Sequence, residues 1–135
     1  MKPFYKETEL LFTCVSKHDF ETLADLCDDD FGIIDLDPNG KNVVVHDRAG
    51  WENWFRTLFA NLLTMKAHTY TEIKEYQALA HETMGYSVVH FDQFLEVNNQ
   101  KLKFYCVVTI IWKKVGERWK ESRWHVSLID GPVAV

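Results

Sequence analysis

KLKFYCVVTIIWKKV (Lys101–Val115) and RWKESRWHVSLI (Arg118–Ile129) are two long runs rich in β-branched and aromatic residues, separated by Gly116 and Glu117. Such runs read as strands joined by a tight turn. Two more precede them, Thr69–Leu79 and Thr83–Val97, and Val97-Asn98-Asn99-Gln100 forms the turn into the first quoted run. All exceed the usual strand length of about five or six residues. Long strands twist and bend, so this series predicts a concave antiparallel sheet. Gly85, inside the second run, is expected to mark a kink or bulge.

Upstream of Thr64 the pattern turns helical. Trp51, Trp54, Phe55, Leu58, Phe59, Leu62 and Leu63 keep helical spacing, and Glu52, Asn53, Arg56 and Asn61 fall on the other side. Asp47 suits the N-cap of this helix. A wide aromatic face of this kind needs a large partner, and a sheet is the natural one. Earlier, Phe4, Leu11 and Val15 mark a first helix ending near Lys17. Asp19 caps a short second helix with Phe20, Leu23, Leu26 and Cys27 as its apolar positions, ended by Asp28-Asp29-Asp30. Phe31–Leu36 and Val43–Val45 flank Asp37-Pro38-Asn39-Gly40, a strong hairpin turn with Asp first and Pro second. The class is α+β: three N-terminal helices, with a small hairpin before the last, packed on a strongly curved antiparallel sheet to form a cone.

The 135 residues suit one domain, 1–135. Aromatic residues make up 14% of the chain, enough both to fill a core and to line a cavity. A formal net charge of -5, with basic residues densest around one hairpin, disfavours nucleic acid as a partner. Cys14, Cys27 and Cys106 are odd in number, lie in apolar segments and form no C-x-x-C pair, so neither disulfides nor structural zinc are expected. Charges at Lys2, Lys6 and Glu7 break up any signal-peptide core, and no apolar run is long enough to span a membrane. A cytoplasmic or otherwise reducing location is the expectation. Glycine-rich phosphate loops, Ser or Cys nucleophile motifs and metal triads do not stand out, so no cofactor or metal is expected.

Three strings together resemble the nuclear-transport-factor-2-like superfamily, in particular its SnoaL-like and ketosteroid-isomerase-like branch and the association domain of calmodulin-dependent protein kinase II. They are Ile34–Lys41 leading through Val45-His46-Asp47 into a helix, the aromatic helix start Trp51–Arg56, and Thr109-Ile110-Ile111-Trp112 followed by Trp119 and His125-Val126-Ser127. The resemblance spans nearly the whole chain. It implies a cystatin-like cone, a pocket and a homodimer formed through the convex sheet face, where Thr109, Ile111, Trp124 and Val126 are expected. It implies no single activity, because the fold hosts isomerases, cyclases, dehydratases, transport adaptors and assembly modules. Asp37 matches the general base of ketosteroid isomerases, but it is also the residue this turn prefers. The positions matching the isomerase oxyanion-hole Tyr and its partner acid hold Leu11 and Val108 or Thr109, so the resemblance implies that those donors to a developing enolate are missing. Steroid isomerisation is therefore disfavoured, and Asp35 and Asp37 stay available as bases for other chemistry.

An even loop at Gly116 would pair Trp112 with Trp119, Ile110 with Glu121, Val108 with Arg123 and Cys106 with His125; a bulge there would change this pairing. By analogy with a pocket-facing Arg of the kinase association domain at the position of His90, the expected pocket holds Tyr86, His90, Asp92, Glu121, Arg123 and His125, with Trp54 and Trp112 among its apolar walls. His90 oriented by Asp92 is the candidate base, and Arg123 or His125 would steady negative charge. The alternative for each is structural: a cross-strand salt bridge for Glu121 and Arg123, a hydrogen-bonded buried imidazole for His90, and an anchor of Ser127 for His125. Three functions remain in view: a homodimer binding a small, partly apolar ligand, a cofactor-independent cyclase, isomerase or dehydratase, and a protein-interaction module.

Overall fold

Three helices, α1 (Tyr5–Lys17), α2 (Phe20–Asp25) and α3 (Arg48–Thr64), cover one face of a six-stranded sheet. The structure, a computed structural model, describes residues 2–37 and 39–135. Strands β1 (Cys27–Leu36), β2 (Asn42–Val45), β3 (His68–Ala80), β4 (Met84–Val97), β5 (Gln100–Val115) and β6 (Arg118–Ala134) lie in the order β2-β1-β6-β5-β4-β3. The four C-terminal strands form an antiparallel meander, as their length and turns suggest. The sheet is mixed, however, because β1 runs parallel to β6.

Local chemistry sets the helix ends. The Asp19 carboxylate accepts from Thr22 N at 3.3 Å and the Asp47 carboxylate from Gly50 N at 2.8 Å, each satisfying a free amide of a first turn. Asp28-Asp29-Asp30 does not terminate α2 as expected: β1 already begins at Cys27, and these acids are strand residues. Arg48 holds this start in place, its guanidinium donating to the carbonyls of Cys27, Asp28 and Ala24. At the β1–β2 turn, the Asp37 carboxylate accepts from the amides of Asn39 (2.8 Å) and Lys41 (2.9 Å), and Gly40 takes φ 80°. Pro38, the expected second turn residue, lies outside the described residues.

The narrow end of the cone is closed by aromatic packing. Phe4 stacks on Trp112 at 5.2 Å and meets Trp119 edge-on at 4.9 Å. Trp112 is fully buried and donates its indole N–H to Ser87 Oγ at 3.0 Å. Gly85 proves not to be a bulge, for its pairing with Ala80 and Trp112 is regular. A Cβ there would stand 2.5 Å from Leu79 O and 2.6 Å from the Phe4 ring, so glycine is required by close approach. The irregularity lies instead in β3, between Ile73 and Glu75.

A second irregularity decides which side chains enter the cone. Trp112 pairs with Glu121, but the next pair is Ile111 with Arg123, leaving Ser122 as an extra residue. This bulge reverses the facing of everything after it. Ile110 pairs with Trp124 and Val108 with Val126, all buried on the concave face, while Arg123, His125 and Ser127 are exposed on the convex one. Phe31, Trp51, Phe55 and Trp124 then interlock edge-on or tilted at centroid distances of 5.2–5.9 Å. We expect Gly85→Ala to destabilise the fold by about 1–3 kcal/mol, read by urea denaturation; an unchanged midpoint would show that Phe4 yields freely.

Candidate functional site

The wide half of the cone is hollow. A cavity of about 170 Å³ lies between α1, α3 and the concave face of the sheet. Phe12, Trp54, Phe91, Phe104 and Trp124 supply aromatic surface, and Leu58, Leu95, Val108 and Val126 supply much of the aliphatic remainder. Protein interiors are otherwise close-packed, with few voids larger than a water molecule. No lysine, arginine or histidine lines the cavity among the described residues.

Its ionisable groups come from the end of β1. Phe31, Ile33 and Asp35 alternate onto one face, so the strand that buries two apolar side chains carries a carboxylate inward as well. Asp35 is half-buried, with its free side toward the cavity, and one oxygen accepts from Leu36 N at 2.6 Å. Loss of water around the charged form pushes its pKa up from 3.8 to about 7; the Leu36 amide and the Trp124 indole oppose that shift only in part. Trp124 Nε1 nonetheless makes no hydrogen bond of normal geometry and is buried. The N–H therefore stands within electrostatic reach of the carboxyl, and its nitrogen offers no surface to an entering group. Asp37 also borders the cavity, but its Oδ1 is held by the two turn amides.

Of the remaining polar wall residues, Thr69 has a buried Oγ1 without a hydrogen-bond partner, whereas Gln93 is occupied and Cys106 inert. Gln93 donates to the carbonyls of Tyr70 and Phe94 and accepts from Thr71. Burial, aided by the charges of Asp35 and Asp92, pushes the Cys106 thiol up to about 12, which removes it as a nucleophile near neutral pH.

Of the residues expected at the pocket, only Trp54 lines it. His90 sits between the inward Val89 and Phe91 and points to the convex face, where Nδ1 lies 2.9 Å from the Tyr105 hydroxyl. Asp92 shares that face and pairs with Lys74 at 3.5 Å. The His90–Asp92 base pair expected in the cavity is thus absent from it. Tyr86 is convex and 42% exposed. Arg123 and His125 are turned outward by the Ser122 bulge, and Arg123 donates to Asp30 O. Physical cost explains the reversal: an inward-facing Arg or His would lack a partner among apolar walls. Trp112 belongs to the solid narrow end. Trp124 and Val126, expected on the convex surface, are walls of the cavity instead.

Glu121 faces inward but lies away from the cavity. It is fully buried beside Trp112, with Cys27 Sγ 3.6 Å from Oε2 and no partner for Oε1. Burial raises its pKa well above the ordinary 4.5. Among the described residues no group of three or more His, Cys, Asp or Glu side chains is placed to hold a metal, and no helix is long and apolar enough to cross a membrane.

Cone, helical cover and hollow end together define a known kind of domain. The model of the SnoaL-like domain matches residues 8–131. The chain belongs to the SnoaL-like domain family. Similar solved structures share the fold. One, from Novosphingobium aromaticivorans and provisionally named a scytalone dehydratase, has TM-score 0.78 at 14% identity over 96% of this chain and 85% of that one. Another, from Xanthomonas campestris and provisionally named a calcium/calmodulin-dependent protein kinase II association domain, has TM-score 0.71 at 18% identity over 90% and 82%. A third, also from N. aromaticivorans, is described as an NTF2-like protein with a cystatin-like fold and has TM-score 0.70 at 13% identity over 92% and 78%. No curated protein matches the chain in sequence. For this SnoaL-like domain the buried acid at the narrow end gives a direct test. A carboxyl with raised pKa stabilises the fold fully below the unfolded value near 4.5, and that contribution is lost as pH rises through the folded value. Glu121→Gln, a neutral isostere, should flatten the decline in stability above about pH 4.5, measured by denaturant titration across pH; parallel profiles for both proteins would refute a neutral Glu121.

Proposed function

We propose that this SnoaL-like domain binds a small, largely apolar molecule inside the cone, with Asp35 meeting its polar end. The chief support is the cavity of about 170 Å³, walled by aromatic and aliphatic side chains and carrying one proton-exchanging carboxyl. Small-molecule sites have this character: concave and apolar, with few placed polar groups. An empty hollow of this size costs stability through lost packing, so occupation recovers contacts the apo fold forgoes. Toluene should bind, followed by amide shifts of Phe91, Leu95 and Val108. Cys106→Phe, which fills the floor, should weaken it roughly tenfold or more, a loss of about 1.4 kcal/mol. The Asp35 carboxyl carbon should titrate with a midpoint near 7. A protein that takes up no toluene, with Asp35 titrating like an exposed acid, would end this reading.

A second reading is favoured by Asp35 specifically. A group that exchanges its proton near neutrality is best matched to general acid–base catalysis, so cofactor-independent chemistry of the cyclase, isomerase or dehydratase kind would be centred on Asp35. The names carried by the fold's neighbours include a dehydratase, which is compatible with that chemistry without assigning it.

The domain would act as a homodimer through its convex face. Val88, Val107 and Ile111 are half-buried there, and Tyr86 is exposed beside them. These apolar side chains alternate with Thr109, His125, His90 and Ser127 across the sheet, the mixed character of a non-obligate interface. Sedimentation should show a dimer that Ile111→Asp converts to a monomer; a wild-type monomer at every concentration would instead favour the interaction-module alternative or no partner.

A further inference from the structure

The cavity wall decides which polar group a ligand must bring, given the ligand-binding reading above. Size limits the body. Apolar cavities of about 150 Å³ take up benzene, so about 170 Å³ suits a single ring with a short arm. Hydrogen-bonding capacity limits the arm. Among the described residues no side-chain donor on the wall is open. Gln93 Nε2 is spent on the carbonyls of Tyr70 and Phe94, the Cys106 thiol donates to Phe104 O, and Trp124 Nε1 and Thr69 Oγ1 offer no surface. The wall does carry acceptors, the carboxyls of Asp35 and Asp37, both from the end where β1 enters its turn. Asp37 Oδ1 is engaged by two turn amides, whereas Asp35 receives one amide, that of Leu36, and keeps acceptor capacity to spare. Charge points the same way. The ionisable wall side chains are Asp35, Asp37 and Cys106, with no lysine, arginine or histidine among the described residues. A carboxylate or phosphate ligand would be desolvated there without a counter-charge, whereas a site lined by one sign of charge draws in the other. Aromatic walls add to this, because a ring face attracts a cation.

We infer that the cone takes a monocationic primary amine with a single-ring body, its ammonium against the Asp35 carboxylate and its ring among Phe12, Phe91 and Phe104. An ammonium brings three donors and no acceptor, which matches a wall that offers acceptors alone. It also supplies the counter-charge whose lack lifts the Asp35 carboxyl toward neutrality. An ammonium leaves water at bearable cost only where it is paired, and the carboxylate is that pair. A neutral carbonyl compound is the competitor, since it would accept from the protonated form of Asp35. The two differ in sign: amine affinity rises as Asp35 loses its proton, and carbonyl affinity falls.

The experiment is a calorimetric or NMR titration of the intact chain with benzylamine, benzyl alcohol, toluene and benzoate at about pH 6 and about pH 8, either side of the Asp35 midpoint near 7. Benzylamine, like a lysine side chain, is protonated at both. At the higher pH it should bind roughly tenfold or more tighter than toluene, the effect of a hydrogen bond to a charged group in a buried site. Benzyl alcohol should fall between them, and benzoate should bind more weakly than toluene. The benzylamine-to-toluene ratio should rise with pH in the native chain. In Asp35→Asn it should drop toward unity and lose its pH dependence, a readout that cancels any shared loss of packing. Benzylamine no tighter than toluene or benzyl alcohol, benzoate tighter than benzylamine, a ratio that falls with pH, or a ratio unmoved by Asp35→Asn overturns the ligand class while leaving the pocket intact. Failure of both benzylamine and toluene to bind removes the pocket reading and this inference together. Should the variant fail to fold, the ratio in the native chain and the sign of its pH dependence still decide.

Discussion

An inserted residue at Ser122 governs what the inside of this molecule is made of. β5 and β6 leave their turn with Trp112 opposite Glu121, both facing inward. Had the register continued unbroken, Arg123 and His125 would have followed Glu121 into the cone, and Trp124 and Val126 would have stood in water. Burying a guanidinium and an imidazole among apolar walls costs several kcal/mol without partners, whereas burying an indole and a valine is favourable by roughly 1.5–3 kcal/mol each. The bulge exchanges the one arrangement for the other. It leaves the narrow end with an inward Glu121 and gives the wide end the apolar surface that walls the cavity.

The two inward carboxyls show how packing separates chemical fates. Glu121 lies in solid core, with only the Cys27 thiol as a partner, and is accessible to no ligand. Asp35 has the same apolar surroundings on most sides but a free side toward open space. Desolvation raises both, yet only Asp35 can exchange its proton with something that enters. A structural acid and a functional one thus differ by the presence of a void, a property of tertiary packing and not of residue type.

Much of the architecture was legible because periodicity and punctuation agree. The aromatic face of Trp51–Leu62, the Asp19 and Asp47 caps and the four long strands each state their type locally, and tertiary packing did not override them. The site was less legible for a specific reason. Facing along β6 depends on whether one residue is skipped, and the string Trp119–Ser127 alternates plausibly in either phase. The pairing of Trp112 with Glu121 gives no local hint that Arg123, two residues on, will turn outward. His90 was ambiguous in the same way, since its neighbours Val89 and Phe91 fit the inner face better than it does. Asp35 carried a usable signal: Phe31 and Ile33 mark an inward phase in β1, and Asp35 continues it.

That phase also separates Asp35 from its neighbour. Asp37 sits in the same phase and matches a general base of related enzymes, which makes it the more conspicuous acid by resemblance. Its Oδ1 is, however, engaged by Asn39 N and Lys41 N as part of the turn that joins β1 to β2. Two residues earlier the chain is still a strand, and strand amides are spent on ladder partners, so Asp35 receives just the one amide of Leu36. The turn that makes Asp37 a good hairpin residue ties its Oδ1 into the backbone, and the adjoining strand, by withholding donors from Asp35, leaves that carboxyl the freer of the two to meet a ligand.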